Sequence, residues 1–243
     1  MGRKGTMIEK EINSDYLDET ITLKLYQPES FSPLYKYHIC IMQDGDDYYQ
    51  MGRIATLSDR LHDSEEIMNT IFVGIHYQDK YDRREKYHPN GKQNEAYIKF
   101  LVAEVVPLLD RELPTYHMGK SRALMGDSLA GTLAFMTALK YPNTFGKVIM
   151  QSPLVDEDVL AAAENAKDIY SIDIYHTIGT EETAVDTTSD GQVDFLTPNR
   201  TLNNYLQEKG ASYTYHELEG GQHTWKYWQK DMKRVLTSMF GGF

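Results

Sequence analysis

The stretch "ALMGDSLAGTLAFMTAL", residues 123–139, changes character in its middle. Ala123, Leu124 and Met125 form an apolar run of the kind found in a strand buried on both faces. From Leu129 the sequence turns rich in Ala and Leu and stops before Pro142, which reads as a helix. Only Gly126, Asp127 and Ser128 separate the two, so the turn is sharp and the helix returns onto the strand. Small residues are needed where they meet. Gly126 and Gly131 meet that need, and Ala130 nearly does. Ser128 then stands at the carboxyl edge of a sheet with its hydroxyl clear of it. The N–H of Leu129, in the first helical turn, faces any negative charge that develops there, assisted by the helix dipole. A plain helix-capping serine is the bland alternative.

Outward from this point, short runs rich in Ile, Val, Tyr and Thr are bounded by turn residues at 20–27, 37–43, 70–77, 122–126, 147–152, 172–179 and 212–219. These read as strands. Helical periodicity alternates with the later ones. From Trp225, apolar residues recur at Trp228, Met232, Val235, Leu236 and Met239, one face of a helix. Thr197-Pro198 resembles an N-cap followed by proline in the first helical position. Residues 94–112 carry a similar pattern, which Pro107 should kink or restart. The order predicts an α/β fold: a mostly parallel central sheet with helices on both faces, and an antiparallel pair at its start. Residues 1–19 read as an N-terminal extension, the basic and polar first six as a cloning remnant, and 20–243 as one domain. The acidic, polar stretch 180–196 reads as a long loop, a common place for function.

Bulk properties narrow the partners. The chain has 243 residues, 41% hydrophobic and 25% charged, which suits one globular domain. No run approaches the ~20 apolar residues of a membrane span. A net charge of −11 argues against nucleic acid and anionic membranes. The single Cys40, in an apolar strand, reads as an inert buried thiol. The expectation is a cytoplasmic protein, with a homo-oligomer compatible, that acts on a small molecule without a cofactor.

Two devices present a serine in this way. The letters Gly126-Asp127-Ser128-Leu129 spell the signature of the GDSL hydrolases. That family places its serine after the first strand and its histidine in a C-terminal Asp-x-x-His. Here Ser128 lies mid-chain. The Asp173-Ile-Tyr-His176 tetrad falls inside a strand, where an odd offset sends its two ends to opposite faces. The other device is the nucleophile elbow of the α/β-hydrolase fold, whose strand–turn–helix context is met. In that fold the chain order is Ser, acid, His. His223, in "ELEGGQHTWKYW" after the last strand, has the right place for the base. The acid should follow the penultimate strand, where Glu182 is the first choice and Glu181 and Asp186 are alternatives. The second oxyanion donor should come from "ICIMQDGDDYY", with the N–H of Asp46 as candidate. Three Asp in four residues there could hold Mg²⁺, but no further acidic cluster supports that, and no metal is expected.

Together these residues resemble the esterase branch of the α/β-hydrolases that includes esterase D, feruloyl esterases and enterochelin esterases. The resemblance spans about residues 20–240. It rests on "MQDGDDYY", "GDSLAGTLAF", "YPNTFGKVIMQSP", "IGTEE" and "GGQHTWKYW". It implies a serine esterase with Ser128, His223 and Glu182 as triad and the N–H groups of Leu129 and Asp46 as oxyanion hole. An Arg-rich segment of that family reads here Arg83-Arg84-Glu85-Lys86-Tyr87-His88-Pro89, which makes Arg83, Arg84 and His88 candidates for substrate binding. Lys86 replaces the usual Asp, and Ala130 replaces a usual Gly of the elbow. Two alternatives stand beside a simple acyl esterase. One is a trilactone (enterochelin-type) esterase, with Arg53 joining the cationic residues. The other is a catalytically silent binding protein of the same fold.

Overall fold

Residues 3–188 and 191–242 are described by a computed structural model. The strands are β1 Thr6–Ser14, β2 Glu19–Gln27, β3 His38–Gln43, β4 Thr70–Ile75, β5 Arg122–Asp127, β6 Lys147–Gln151, β7 Asp173–Gly179, the short pair β8 Val185–Asp186 and β9 Gln192–Val193, and β10 Ser212–Leu218. Eight of them form one sheet in the order β1-β2-β4-β3-β5-β6-β7-β10. β1 and β2 pair antiparallel, as do β2 and β4; every later pairing is parallel. The mostly parallel sheet with an antiparallel start is therefore as expected. The extension is not: residues 6–14 form β1, the sheet's edge. Its charged "EKE" leaves too few buried positions to announce a strand, as suits an edge open to water.

The helices are α1 Gly45–Gln50, α2 Ile54–Asp63, α3 Lys80–Tyr87, α4 Asn94–Phe100, α5 Val106–Glu112, α6 Leu129–Lys140, α7 Glu157–Asn165, α8 Leu196–Glu208 and α9 Trp225–Phe240. Strand alternation sorts them onto two faces. Ile39, Ile41, Leu124, Val148 and Ile174 pack with residues of α3 to α8. Their neighbours Cys40, Met42, Met125, Ile149 and Tyr175 pack with α1, α2 and α9. A strand buried on both faces has no polar side, which is why these runs are continuously apolar.

Two helix boundaries differ from those expected. Between α4 and α5 the chain makes a π-helical turn, Leu101–Val105, rather than a break. Pro107 has no N–H for the regular ladder, and the wider turn absorbs the loss without ending the helix. α8 starts before Thr197-Pro198, at Leu196 with Phe195 as its N-cap, and Asp194 Oδ1 accepts from Thr197 N at 3.2 Å in the first turn. Within the acidic stretch 180–196, the described residues include the short strands β8 and β9, which pair antiparallel, and α8 begins at its last residue, Leu196.

Candidate active site

Strand β5 ends at Asp127 and α6 begins at Leu129, leaving Ser128 alone in the turn. Its backbone sits at φ 52° and ψ −128°, a region that costs a non-glycine residue about 1–3 kcal/mol. Ser128 N donates to Gln151 O at 2.8 Å, pinning the turn to β6. At Gly126 a side chain would meet the Ala130 carbonyl carbon at 2.3 Å, so the close approach read from the sequence is real. The Ala130 methyl is itself fully buried in the core, which accommodates this departure from the family pattern.

His223 lies in the loop between β10 and α9. Its Nδ1 is 2.6 Å from Glu182 Oε2. A carboxylate oxygen accepts, so Nδ1 carries the hydrogen and the neutral ring keeps its lone pair on Nε2. Phe195 and Trp228 pack edge-on against the imidazole at 4.7 and 5.0 Å between centroids. Glu182 is 1% exposed, yet its other oxygen is satisfied. Oε1 accepts from Ser152 Oγ at 2.6 Å and from Gly179 N at 2.8 Å. Trp228 Nε1 donates to Ser152 Oγ at 2.9 Å, extending the chain of bonds. Gly179 has a steric reason: a Cβ there would meet Gly221 O at 2.4 Å and Glu182 Oε1 at 2.7 Å. The acid loop and the histidine loop thus touch backbone to backbone, and Glu181 N donates to Gly221 O at 2.8 Å. Of the candidate acids, Glu182 is the one paired with His223 among the described residues; Glu181 and Asp186 are exposed.

Ser128, Leu129 and His223 line one cleft of about 130 Å³. Leu154, Val185 and Phe195 supply apolar wall. Lys80, Arg83, Arg84 and His88, all from α3 and its C-terminal cap, supply a cationic one. Asp186, Thr187 and Thr188 of the hairpin close the rim. His88 Nδ1 accepts from Asn90 N at 3.1 Å, which leaves Nε2 as the protonated nitrogen of the neutral ring. Arg84 pairs with Glu85 at 3.2 Å.

The acidic run after β3 is held by cations. Asp44, in left-handed conformation at the cap of α1, takes a two-pronged ion pair from Arg83. Asp46 is the second residue of α1, where an N–H has no acceptor within the helix. Its side chain turns to Lys24 at 2.6 Å and lines a different groove. Arg53 also lies elsewhere, in a surface groove between α2 and α9. Lys86 does not face the cleft either. It is 4% exposed and pairs with Glu19 of β2 and with Asp82. Asp127 is buried, with Oδ1 unpartnered among the described residues. Burial, and then the nearby Asp44, push its carboxyl well above the usual carboxylate range. Sequence reasoning missed Ser152, Trp228 and Lys80. Trp228 was legible only as part of an apolar helix face, and its indole N–H gave no separate signal.

Strand order, the sharp turn at Ser128 and the loop before α9 are those of the α/β-hydrolase fold, which solved structures share. A ferulic acid esterase aligns with a TM-score of 0.78 at 16% identity, over 99% of both chains. The enterobactin esterase FES of Shigella flexneri, solved in the presence of enterobactin, aligns with a TM-score of 0.83 at 17% identity. That alignment covers 98% of this chain but 60% of FES. In sequence, the chain is 46% identical over 237 residues to the uncharacterized protein YjcH of Bacillus subtilis (strain 168), covering 98% of each. The family model described as "Putative esterase" matches residues 14–239, and the chain belongs to that family. Its class of reaction is the hydrolysis of esters.

Proposed function

We propose that this protein is a serine esterase that cleaves small carboxylic esters through an acyl-enzyme on Ser128. The observation that carries the reading is the 2.6 Å bond from His223 to buried Glu182, in the cleft that the strained Ser128 lines. His223 Nε2 takes the Ser128 proton as Oγ attacks the ester carbonyl. Glu182 holds the imidazole in this tautomer and stabilises the imidazolium. The N–H groups of Leu129 and Asp46 receive the oxyanion; one such donor is worth about 3 kcal/mol of barrier. The imidazolium then protonates the leaving alcohol. A water, deprotonated by His223, releases the acid and restores Ser128. The apolar wall and small volume favour a short acyl group. Arg84 and His88 would meet a polar or anionic portion of the substrate. The test is hydrolysis of p-nitrophenyl acetate and butyrate by wild type and Ser128→Ala. The variant should lose at least about 10³-fold in kcat; equal rates contradict the assignment.

The cationic face of α3 favours a second reading, a trilactone esterase for an anionic, catecholate-rich substrate. Turnover of such a trilactone well above that of p-nitrophenyl butyrate would select it.

A further inference from the structure

We propose that Arg83 is a positioning residue: it locks the Asp44 turn to the nucleophile elbow and so fixes the two oxyanion donors relative to each other. The role rests on the esterase reading above, and it differs from the substrate contact that the sequence suggests for this arginine.

The oxyanion donors belong to turns far apart in sequence. Asp46 N–H follows the Asp44 turn after β3, and Leu129 N–H follows the elbow after β5. Each turn hinges on a non-glycine residue at positive φ, 57° at Asp44 and 52° at Ser128. Such backbone persists only where its surroundings over-determine it. One guanidinium reaches both. Arg83 Nε lies 3.0 Å from each Asp44 carboxylate oxygen, and Nη2 lies 2.6 Å from Oδ2. The same Nη2 donates to the Asp127 carbonyl at 3.3 Å. That carbonyl belongs to the peptide bond whose N–H is Ser128, already bonded to Gln151 O. The elbow peptide is therefore held at both ends.

The arginine is itself fixed. Asp79 caps α3 by accepting from Tyr81 N at 2.7 Å and Asp82 N at 2.9 Å. The guanidinium carbon lies 5.7 Å from the Tyr77 ring centroid and 5.6 Å from that of Tyr87, the latter fully buried. Burial works against the charge, but the Asp44 carboxylate outweighs it and keeps the guanidinium ionised. The Asp44 side chain is 2% exposed, so a substrate anion would have to displace a buried carboxylate to reach the same atoms. A planar fork suits this span, and an ammonium does not.

The experiment compares wild type with Arg83→Met, Arg83→Lys and Asp44→Asn on p-nitrophenyl acetate, with melting curves to establish folding. A trifluoromethyl ketone serves as tetrahedral-intermediate mimic. In the positioning role, Arg83→Met and Asp44→Asn lower kcat about 100-fold, with KM within about 3-fold. Arg83→Lys restores less than a tenth of the wild-type kcat. Affinity for the ketone falls in parallel with kcat/KM. The double variant Arg83→Met/Asp44→Asn is no worse than either single one, since both break one link. The proposal is overturned if kcat stays near wild type in folded variants, or if Arg83→Lys is fully active. It is overturned equally if only KM for an anionic ester rises. Should Arg83→Met fail to fold, Arg83→Lys and Asp44→Asn decide. A wild type without Ser128-dependent hydrolysis removes the esterase reading itself; active wild type with unaffected variants removes only the role of Arg83.

Discussion

His223 and His176 are both hydrogen-bonded histidines near the same sheet edge, and their surroundings differ sharply. His176, in β7, is fully buried between neutral partners. Its Nε2 meets Asn199 Oδ1 at 2.6 Å and its Nδ1 meets Tyr213 Oη at 2.8 Å. Asn199 Nδ2 donates to Pro153 O and Phe195 O, so its oxygen is the acceptor and His176 Nε2 the donor. Both ring nitrogens are used, neither by a carboxylate of the described residues, and burial pushes the pKa down to about 4. His223 has a carboxylate on one nitrogen, the cleft beside it and a partly exposed side chain. The proposed role of His223 as a base draws on that difference: a buried anion on Nδ1 supports the cation, and the ring borders the cleft. Hydrogen bonding alone does not achieve this.

The comparison breaks most sharply at Glu182. Glu182→Gln should cut kcat by about 10³–10⁴-fold, because the amide no longer favours the correct tautomer or supports the imidazolium. Asp186→Asn, on the hairpin rim, should stay within about 3-fold of wild type. Steady-state kinetics on one ester checks both; similar losses would mean that the triad acid is misassigned.

The next effect is on stability. The folded-state pKa of His176 lies below the ~6.5 of the unfolded chain, so between these values the unfolded state binds the proton and the folded state does not. Its contribution is fully present above pH ~6.5 and is lost as pH falls toward 4. Between pH 7 and 5 this amounts to about 2 kcal/mol. His38, also pushed down to about 4 by burial, acts in the same direction. Urea midpoints at the two pH values should fall accordingly, and His176→Gln should flatten the difference. An unchanged difference in that variant would assign the acid sensitivity elsewhere. The smallest effect is at Tyr213→Phe. Removing the phenol from His176 Nδ1 should cost about 1 kcal/mol of stability and leave kcat unchanged. A large drop in kcat would tie His176 to the site after all.

Much of this was legible in the chain, for identifiable reasons. Strands buried on both faces show as unbroken apolar runs, so β3 to β7 fall where the sequence puts them. The elbow shows because steric crowding restricts it to small residues. His223 shows because its loop needs the Gly220–Gly221 pair. The edge strand β1 did not show, since it buries little. Ion pairs also left no sequence signal. Arg83 and Lys86 look alike as cations in one segment, yet one lies under the elbow and the other reaches Glu19 across the sheet edge. Periodicity places residues on faces, but only the fold chooses among several acids for each cation.

The central claim is that Ser128 is a nucleophile activated by His223. Its most direct test is covalent labelling by a fluorophosphonate, with the modified residue located by peptide mass spectrometry. Wild type should be labelled stoichiometrically at Ser128, with labelling slowed at least about 100-fold in His223→Ala and absent in Ser128→Ala. Folded wild-type protein that takes no label, or takes it at another residue, would contradict the account.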